Sequence, residues 1–226
     1  MHFIKLKSGT SVEGSEITAF KTEAREKKYI YLMAGVHGDE VEGIYVLKKL
    51  FAEIQNFESV DLPLIVLPIL NVDGHRASTR LNSHGVDLNR NCPAKSWSDK
   101  VSESQYHPGS APGSEPENKF LFKLMDKFKP AIILSFHSWK PVINYNGDCD
   151  DVANAISQIN NYATVADIGY PTPGSLGDFG PEKYDSPVIT FECPLLSETH
   201  GLEKIWLENK EALTSLLTGS SLLRFL

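Results

Sequence analysis

Four short apolar runs, each followed by polar residues, constrain the fold of this chain more than any other feature. The runs are rich in Ile, Leu and Val and cover residues 29–34, 62–70, 131–136 and 187–192. Runs this short are typical of strands that are buried on both faces, as in a sheet that helices cover on each side. The sequence therefore predicts a central sheet built from these four segments.

Helical patterns lie between the apolar runs. Over residues 40–55, apolar side chains recur at intervals of three and four. Ser114 and Glu117 have the spacing of a capping box, which predicts a helix over residues 114–128 with Ser114 as the N-cap. Further helices are predicted over residues 151–167 and from residue 201 to the C-terminus.

The alternation of strands and helices favours the α/β class. We predict a three-layer α/β/α architecture with a mixed, mostly parallel central sheet. Residues 71–113 are polar and show little periodicity, and so long a loop inside a domain is usually functional. No repeat or linker divides the 226 residues, so we predict a single domain over residues 1–226.

Composition narrows the function classes. The 22 basic and 29 acidic residues give a net charge of −7, which argues against binding to nucleic acid or to an anionic membrane. No apolar run reaches the roughly 18 residues of a membrane span, and the N-terminus lacks a signal-peptide core. The odd number of cysteines, three, favours a reducing compartment. We expect a cytoplasmic protein; the oligomeric state stays open.

Two histidines and a glutamate follow predicted strands. His37 and Glu40 come after the first run, and His137 comes after the third. Ligand sites of open α/β sheets lie at the carboxyl ends of strands, and two His with one Glu leave an open position on a catalytic Zn²⁺. Taken alone, the His-x-x-Glu pattern more often marks a capped turn with a surface Glu, and a lone His is more often structural.

The remaining candidates are one acid and two arginines. Glu192 ends the fourth run, where an unpaired carboxylate is costly to bury unless it serves as a general base beside a metal. A salt-bridged structural Glu is the alternative. Arg80 and Arg90 can hold a carboxylate or stabilise an oxyanion. Without a metal site they would be solvated loop residues.

Five segments, in this order, resemble the zinc carboxypeptidases of the carboxypeptidase A type. They are His37-x-x-Glu40, Asn71-Val72-Asp73-Gly74, residues 85–91 (GVDLNRN), Phe136-His137-Ser138 and Thr190-Phe191-Glu192. The resemblance implies one Zn²⁺ per chain, held by His37, Glu40 and His137. It also implies that Glu192 is the general base and proton shuttle of a hydrolase.

The same resemblance implies substrate contacts. Asn89 and Arg90 resemble the pair that grips the terminal carboxylate of a peptide. Arg80 resembles the arginine that polarises the scissile carbonyl, although the Trp that usually precedes it is absent. Tyr170 resembles the mobile tyrosine of the family, and Leu176 falls near its specificity-pocket position. Leu176 is not acidic, so it indicates no preference for a basic side chain.

Loop segments narrow the resemblance to the bacterial murein peptide amidases. The segments are residues 71–93, 108–117 and 169–177. Enzymes of that group are cytoplasmic and cleave the bond between γ-D-glutamate and meso-diaminopimelate in recycled wall peptides. The resemblance therefore implies a small peptide substrate with a free C-terminal carboxylate.

Three other functions stay open on the sequence. A carboxypeptidase that acts on ordinary peptides would use the same residues. An N-acyl-amino-acid deacylase, similar to succinylglutamate desuccinylase and aspartoacylase, shares the zinc motif but usually carries a further C-terminal domain, for which we expect no room after Pro194. A binding module without activity would have a broken site, whereas every proposed ligand and the base are present.

Overall fold

Eight strands form one mixed sheet in the computed structural model, which describes residues 1–24, 26–57, 61–100, 102–199 and 201–226. The strands of this sheet are β1 (Phe3–Lys5), β4 (Phe20–Thr22), β5 (Tyr29–Ala34), β6 (Leu64–Leu67), β7 (Pro130–Trp139), β8 (Val142–Asn146), β9 (Ala163–Val165) and β10 (Val188–Pro194). Two further strands, β2 (Gly9–Thr10) and β3 (Glu16–Ile17), pair with each other as a separate ribbon.

The centre of the sheet is parallel. The strand order is β1-β4-β6-β5-β7-β10-β8-β9, and the neighbours from β6 to β10 run parallel, as do β8 and β9. The other neighbours, β1 with β4, β4 with β6 and β10 with β8, are antiparallel. The prediction of a mixed, mostly parallel sheet is confirmed.

Helices cover both faces of the sheet. They are α1 (Val41–Ile54), α2 (Val72–Ala77), α3 (Pro116–Lys127), α4 (Asp150–Asn160), α5 (Leu176–Tyr184) and α6 (Leu202–Thr218). Alternate residues of β5 point into two separate cores, one shared with α1, α4 and α6 and the other with α3 and α5. Both faces of the central strands are therefore buried, which explains their unbroken apolar runs. The three-layer prediction is confirmed.

Two helix predictions are wrong in their extent. The helix predicted over residues 151–167 is α4, which ends at Asn160 because Asn161 adopts the left-handed conformation with φ of 62°. The chain then forms β9, which pairs with β8. The last helix, α6, ends at Thr218 rather than continuing to the C-terminus.

The predicted capping box is also wrong. The N-cap of α3 is Glu115, and no side chain caps this helix. The Ser114 hydroxyl instead donates to the Glu115 carboxylate and accepts from the Asn91 amide, 3.1 Å away. The Glu117 carboxylate accepts from the Asn82 amide and from the backbone N–H of Val12. Asn91, Asn82 and Val12, all distant in sequence, bond to these two side chains where a capping box would have bonded them to the helix terminus.

The predicted loop of residues 71–113 contains a short helix that the sequence pattern did not predict. This helix is α2, whose N-cap Asn71 accepts a hydrogen bond from the backbone N–H of Gly74 at 2.9 Å. The strand predicted over residues 62–70 is confined to β6, between Pro63 and Pro68. Proline has no N–H to donate to a strand ladder, which accounts for these limits.

The parallel strands bring the candidate residues to one edge of the sheet. His37 and Glu40 follow β5, and in the register of β7 with β10 Glu192 lies directly opposite His137. His137 and Glu192 lie within these strands, which continue two or three residues beyond their predicted ends. Among the helices that the structure describes, none combines the length and apolar character needed to cross a bilayer.

Gly43 allows α1 to approach β7 at His137. A Cβ atom at Gly43 would lie 2.9 Å from the backbone N of His137 and 2.9 Å from the carbonyl of Phe136. These contacts are with backbone atoms, which cannot rotate away as a side chain can. The absence of a side chain at Gly43 therefore sets the distance between the helix that follows Glu40 and the strand that carries His137.

We expect Gly43→Ala to lower the free energy of unfolding by about 1–3 kcal/mol, since overpacking costs that much in a close-packed interior. Alanine's better helix propensity, worth about 1 kcal/mol, opposes this loss. Urea denaturation followed by circular dichroism measures the change. Lys48→Ala, on the exposed side of α1, is the control. Unchanged or raised stability of Gly43→Ala would contradict the proposed packing constraint.

Candidate active site

His37, Glu40 and His137 converge on one point at the edge of the sheet. Their ligand atoms all lie within 4.8 Å of one another. The Glu40 carboxylate lies 2.6 Å from His37 Nδ1 and 2.8 Å from His137 Nδ1, and the two Nδ1 atoms are 3.3 Å apart. Two imidazole nitrogens and a carboxylate oxygen turned towards a common centre form a donor set suited to Zn²⁺.

The outer nitrogens of both imidazoles are held by other side chains. His37 Nε2 lies 3.0 Å from Asp87 Oδ1, and His137 Nε2 lies 3.0 Å from Ser135 Oγ. Such contacts fix the ring orientation and the tautomer, so that each Nδ1 is the nitrogen left to bind a metal. The convergence is thus built into the packing around the two rings, both 3% exposed.

Alternating charges compensate for burial in this group. Burial disfavours the charged form of Glu40, yet the two imidazoles lower its pKa well below the usual value. Burial likewise opposes ionisation of Asp87, but His37 and Arg80 lower its pKa. Burial disfavours protonation of His37, whereas Glu40 and Asp87 raise its pKa to about 9. The carboxylates are therefore ionised and attract a cation.

Glu192 lies beside these residues at the edge of the sheet. Its side chain is 8% exposed, and Oε2 has no hydrogen bond within the described part of the chain. Burial, together with the negative charge of Glu40, raises the pKa of Glu192 to about 8. A buried carboxyl group with an unused oxygen is suited to accept and release a proton.

Arg80 is oriented by Asp87. Its Nε and Nη2 donate to Asp87 Oδ2 at 3.2 and 2.8 Å, while Nη1 lies 3.5 Å from Glu40 Oε1. Asp87 is completely buried and contacts both His37 and Arg80. One carboxylate thus orients a candidate metal ligand and the guanidinium that lines the same cavity.

Asn89 and Arg90 lie in the turn after Asp87. The Asn89 side-chain oxygen accepts the backbone N–H of Leu176 at 2.9 Å, which leaves the Asn89 NH₂ group for the cavity. Arg90 donates through Nη1 to the backbone oxygen of Asn89 at 2.8 Å. The Leu176 side chain is 4% exposed and packs in the core between α3 and α5. It does not line the cavity, whereas its neighbours Ser175 and Gly177 do.

A cavity of about 350 Å³ joins most of the predicted site residues. It is bordered by His37, Glu40, His137, Glu192, Arg80, Asn89, Arg90 and Tyr170. Tyr170 is 38% exposed and packs edge-on against Trp139, with ring centroids 5.8 Å apart. Neutral polar side chains line another part of the wall: Asn144, Asn146, Thr172 and Thr190. Leu176 is the one predicted site residue that the structure sets apart from this cavity.

Asp87, Ser135 and Tyr106 also contact site residues, although the sequence alone indicated no role for them. Asp87 lies inside the quoted segment of residues 85–91, so its position in the motif was a usable signal. Ser135 lies two residues before His137, on the same side of β7, and this period-two spacing was visible as well. Tyr106 reaches the cavity from residues 71–113, where no periodicity indicates which side chains turn inward.

Known proteins share both the sequence pattern and the fold. The model of the zinc carboxypeptidase family matches residues 2–211. Murein peptide amidase A of Escherichia coli (strain K12) is 31% identical over 209 residues, which cover 87% of this chain and 84% of that protein. The corresponding protein of Vibrio campbellii (strain ATCC BAA-1116) is 28% identical over 207 residues, 87% of this chain and 82% of that protein.

Solved structures agree with these matches. The crystal structure of a murein-tripeptide amidase from Escherichia coli O157 has a TM-score of 0.78 at 27% identity, covering 93% of this chain and 90% of that chain. A carboxypeptidase A from Helicoverpa armigera has a TM-score of 0.80 at 17% identity, covering 98% and 69%, and supports the fold alone. Given the matched length and the His-Glu-His group, the chain belongs to the zinc carboxypeptidase family and is a zinc-dependent hydrolase.

Proposed function

We propose that this protein hydrolyses the amide bond between γ-D-glutamate and meso-diaminopimelate in murein peptides. The observation that carries the proposal is a cavity in which the candidate metal ligands and a buried carboxyl group, whose Oε2 accepts no hydrogen bond from the described residues, face two arginines. Two guanidinium groups in a chain of net charge −7 suit a substrate with several carboxylates. The relatives named murein peptide amidase A support the choice of peptide.

His37, Glu40 and His137 are the proposed zinc ligands. A bound Zn²⁺ would supply Lewis-acid chemistry, activating water and polarising the scissile carbonyl. The three side chains would hold the ion through both Nδ1 atoms and the carboxylate that lies between them. Asp87 and Ser135 keep the imidazoles in the orientation that this binding requires.

Glu192 is the proposed general base and acid. Its free Oε2 takes a proton from the attacking water as the water oxygen bonds to the carbonyl carbon. The same carboxyl group then gives that proton to the departing amine nitrogen as the amide C–N bond breaks. Arg80, held by Asp87, directs its remaining N–H groups at the carbonyl oxygen while negative charge develops there.

Asn89 and Arg90 are the proposed binding site of the terminal carboxylate. The Asn89 NH₂ group and the Arg90 guanidinium both donate hydrogen bonds, as a carboxylate requires. Tyr170 would close over the bound peptide from the cavity rim. The amide and hydroxyl groups of Asn144, Asn146 and Thr190 suit a side chain that carries both an amino and a carboxylate group, as in diaminopimelate.

We further propose that the protein works in the cytoplasm, on wall peptides that return to the cell for reuse, as one catalytic domain. Cys92, Cys149 and Cys193 are all buried and unpaired, which suits a reducing compartment. The cysteines have no proposed part in catalysis. Burial raises the pKa of the Cys149 thiol to about 12, so it stays protonated at neutral pH.

A substrate panel tests the proposed function. We expect the zinc-loaded protein to release meso-diaminopimelate from L-Ala-γ-D-Glu-meso-diaminopimelate, as measured by mass spectrometry. Ordinary C-terminal peptides and N-acyl amino acids are the comparison substrates. Faster hydrolysis of ordinary peptides than of the murein tripeptide would favour a general carboxypeptidase. Hydrolysis of N-acyl amino acids alone would favour an N-acyl-amino-acid deacylase. Either result would overturn the murein assignment.

We expect Asp87→Asn to weaken zinc binding by about 10- to 100-fold, the usual effect of losing the carboxylate behind a metal-bound histidine. Competition with a chromophoric chelator measures the dissociation constant. Asp73→Asn is a matched control, because Asp73 is also buried but accepts hydrogen bonds from Ser11 and Glu13. Equal zinc affinity in Asp87→Asn and the native protein would exclude a role for Asp87 in zinc binding.

We expect Glu192→Gln to retain zinc and to lose about 10²- to 10⁴-fold in kcat, since an amide cannot relay the proton. Atomic absorption gives the zinc content, and product release gives the rate. Glu182→Gln, an exposed position on α5, controls for the substitution itself. Near-native turnover by zinc-loaded Glu192→Gln would exclude the role proposed for Glu192.

A further inference from the structure

The ring of Tyr106 lies against both cavity arginines. The Arg80 guanidinium carbon is 5.5 Å from the ring centroid, and the Arg90 guanidinium carbon is 5.1 Å from it. Both distances are within the range of about 6 Å over which a cation is attracted to an aromatic face. One aromatic side chain therefore contacts both arginines, of which Arg80 is proposed to act on the scissile carbonyl and Arg90 on the terminal carboxylate.

Arg90 shows why such a contact matters. The residue is 3% exposed, and within the described residues it makes no ion pair with a carboxylate. Its one side-chain hydrogen bond in that part of the chain is the short-range bond from Nη1 to the Asn89 backbone. A carboxylate partner would occupy the N–H donors that a substrate carboxylate needs. An aromatic face attracts the guanidinium without consuming any of its donors.

We propose that Tyr106 is a positioning residue that holds Arg80 and Arg90 in their binding geometry through its ring, without occupying any of the N–H donors that the two guanidinium groups offer to a substrate. The proposal rests on the carboxylate and carbonyl roles given above to the two arginines. It adds a residue that the five family segments do not include.

A second aromatic ring contacts Tyr106 on the cavity rim. Its ring stacks on Tyr170 with a centroid distance of 6.4 Å and an interplanar angle of 29°, and Tyr170 in turn contacts Trp139. Tyr106 and Tyr170 also form part of the boundary between the catalytic cavity and a neighbouring cavity of about 370 Å³. Arg90 borders both cavities as well, so Tyr106 contacts Arg90 where the two cavities adjoin.

A spectroscopic experiment tests the contact without any substrate. Protons above an aromatic face are shifted upfield by the ring current, so the Nε–H resonances of Arg80 and Arg90 should be upfield in the zinc-loaded native protein. Assignment uses the Arg80→Lys and Arg90→Lys variants. The shifts should persist in Tyr106→Phe and disappear in Tyr106→Leu. Resonances that stay in place in Tyr106→Leu would overturn the proposed contact, whatever the enzyme hydrolyses.

A kinetic experiment tests the consequence, on whichever peptide of the panel the native protein cleaves. We expect Tyr106→Leu to lower kcat/KM about tenfold, from a raised KM through Arg90 and a lowered kcat through Arg80. Tyr106→Phe should keep near-native values, because the ring and not the hydroxyl makes the contact. Tyr45→Leu, a tyrosine beside Lys49 on α1, is the matched control away from the cavity.

The Arg90→Gln background separates positioning from general packing. In that background Tyr106→Leu should still lower kcat but should no longer raise KM, since the cation that mediates the KM effect is gone. The same rise in KM with and without Arg90 would overturn the proposal. A peptide panel with no cleaved member would defeat the proposed function, while the proton resonances would still test the ring contact.

Discussion

The parallel pairing of β5, β7 and β10 is the constraint on which the site depends. Because the three strands run in the same direction, their carboxyl ends meet at one edge of the sheet. The register that sets Glu192 opposite His137 fixes the separation of two functional side chains by backbone hydrogen bonds rather than by loop conformation. A shift of one residue would turn one of them to the other face of the sheet.

Burial at that edge makes uncompensated charge costly, and most of the charged groups there have a compensating neighbour. Asp87 lies between Arg80 and His37, and Glu40 lies between the two imidazoles. Each carboxylate is shared by two groups, so removal of one member leaves its neighbours buried without compensation, which is costly in a protein interior. Among the described residues, Glu192 and Arg90 have no such ionic partner. The proposed reaction uses the carboxyl oxygen and the N–H donors that these two side chains leave unoccupied.

The sequence predicted those parts of the molecule that local patterns encode. Apolar runs located the four central strands, and the order of five segments identified the family. Contacts with residues distant in sequence were less accessible: Ser114 matched a capping box, but its hydroxyl accepts a hydrogen bond from Asn91. Leu176 illustrates the same limit, because a shift of one position decides whether a side chain enters the core or lines the cavity. Tyr106 gave no local signal, since its contacts depend on how an aperiodic segment folds back over the arginines.

The hydrogen bond from the Leu176 backbone to Asn89 has a consequence for the kinds of side chain that position 89 can accept. It commits the amide oxygen to the protein backbone and so determines which end of the amide faces the cavity. Aspartate, the nearest isostere, would keep the contact with Leu176 but present a second acceptor where a donor is needed. Deamidation of Asn89, a change of a single atom that leaves shape almost untouched, would therefore invert the polarity of the cavity at this point while the fold stayed intact.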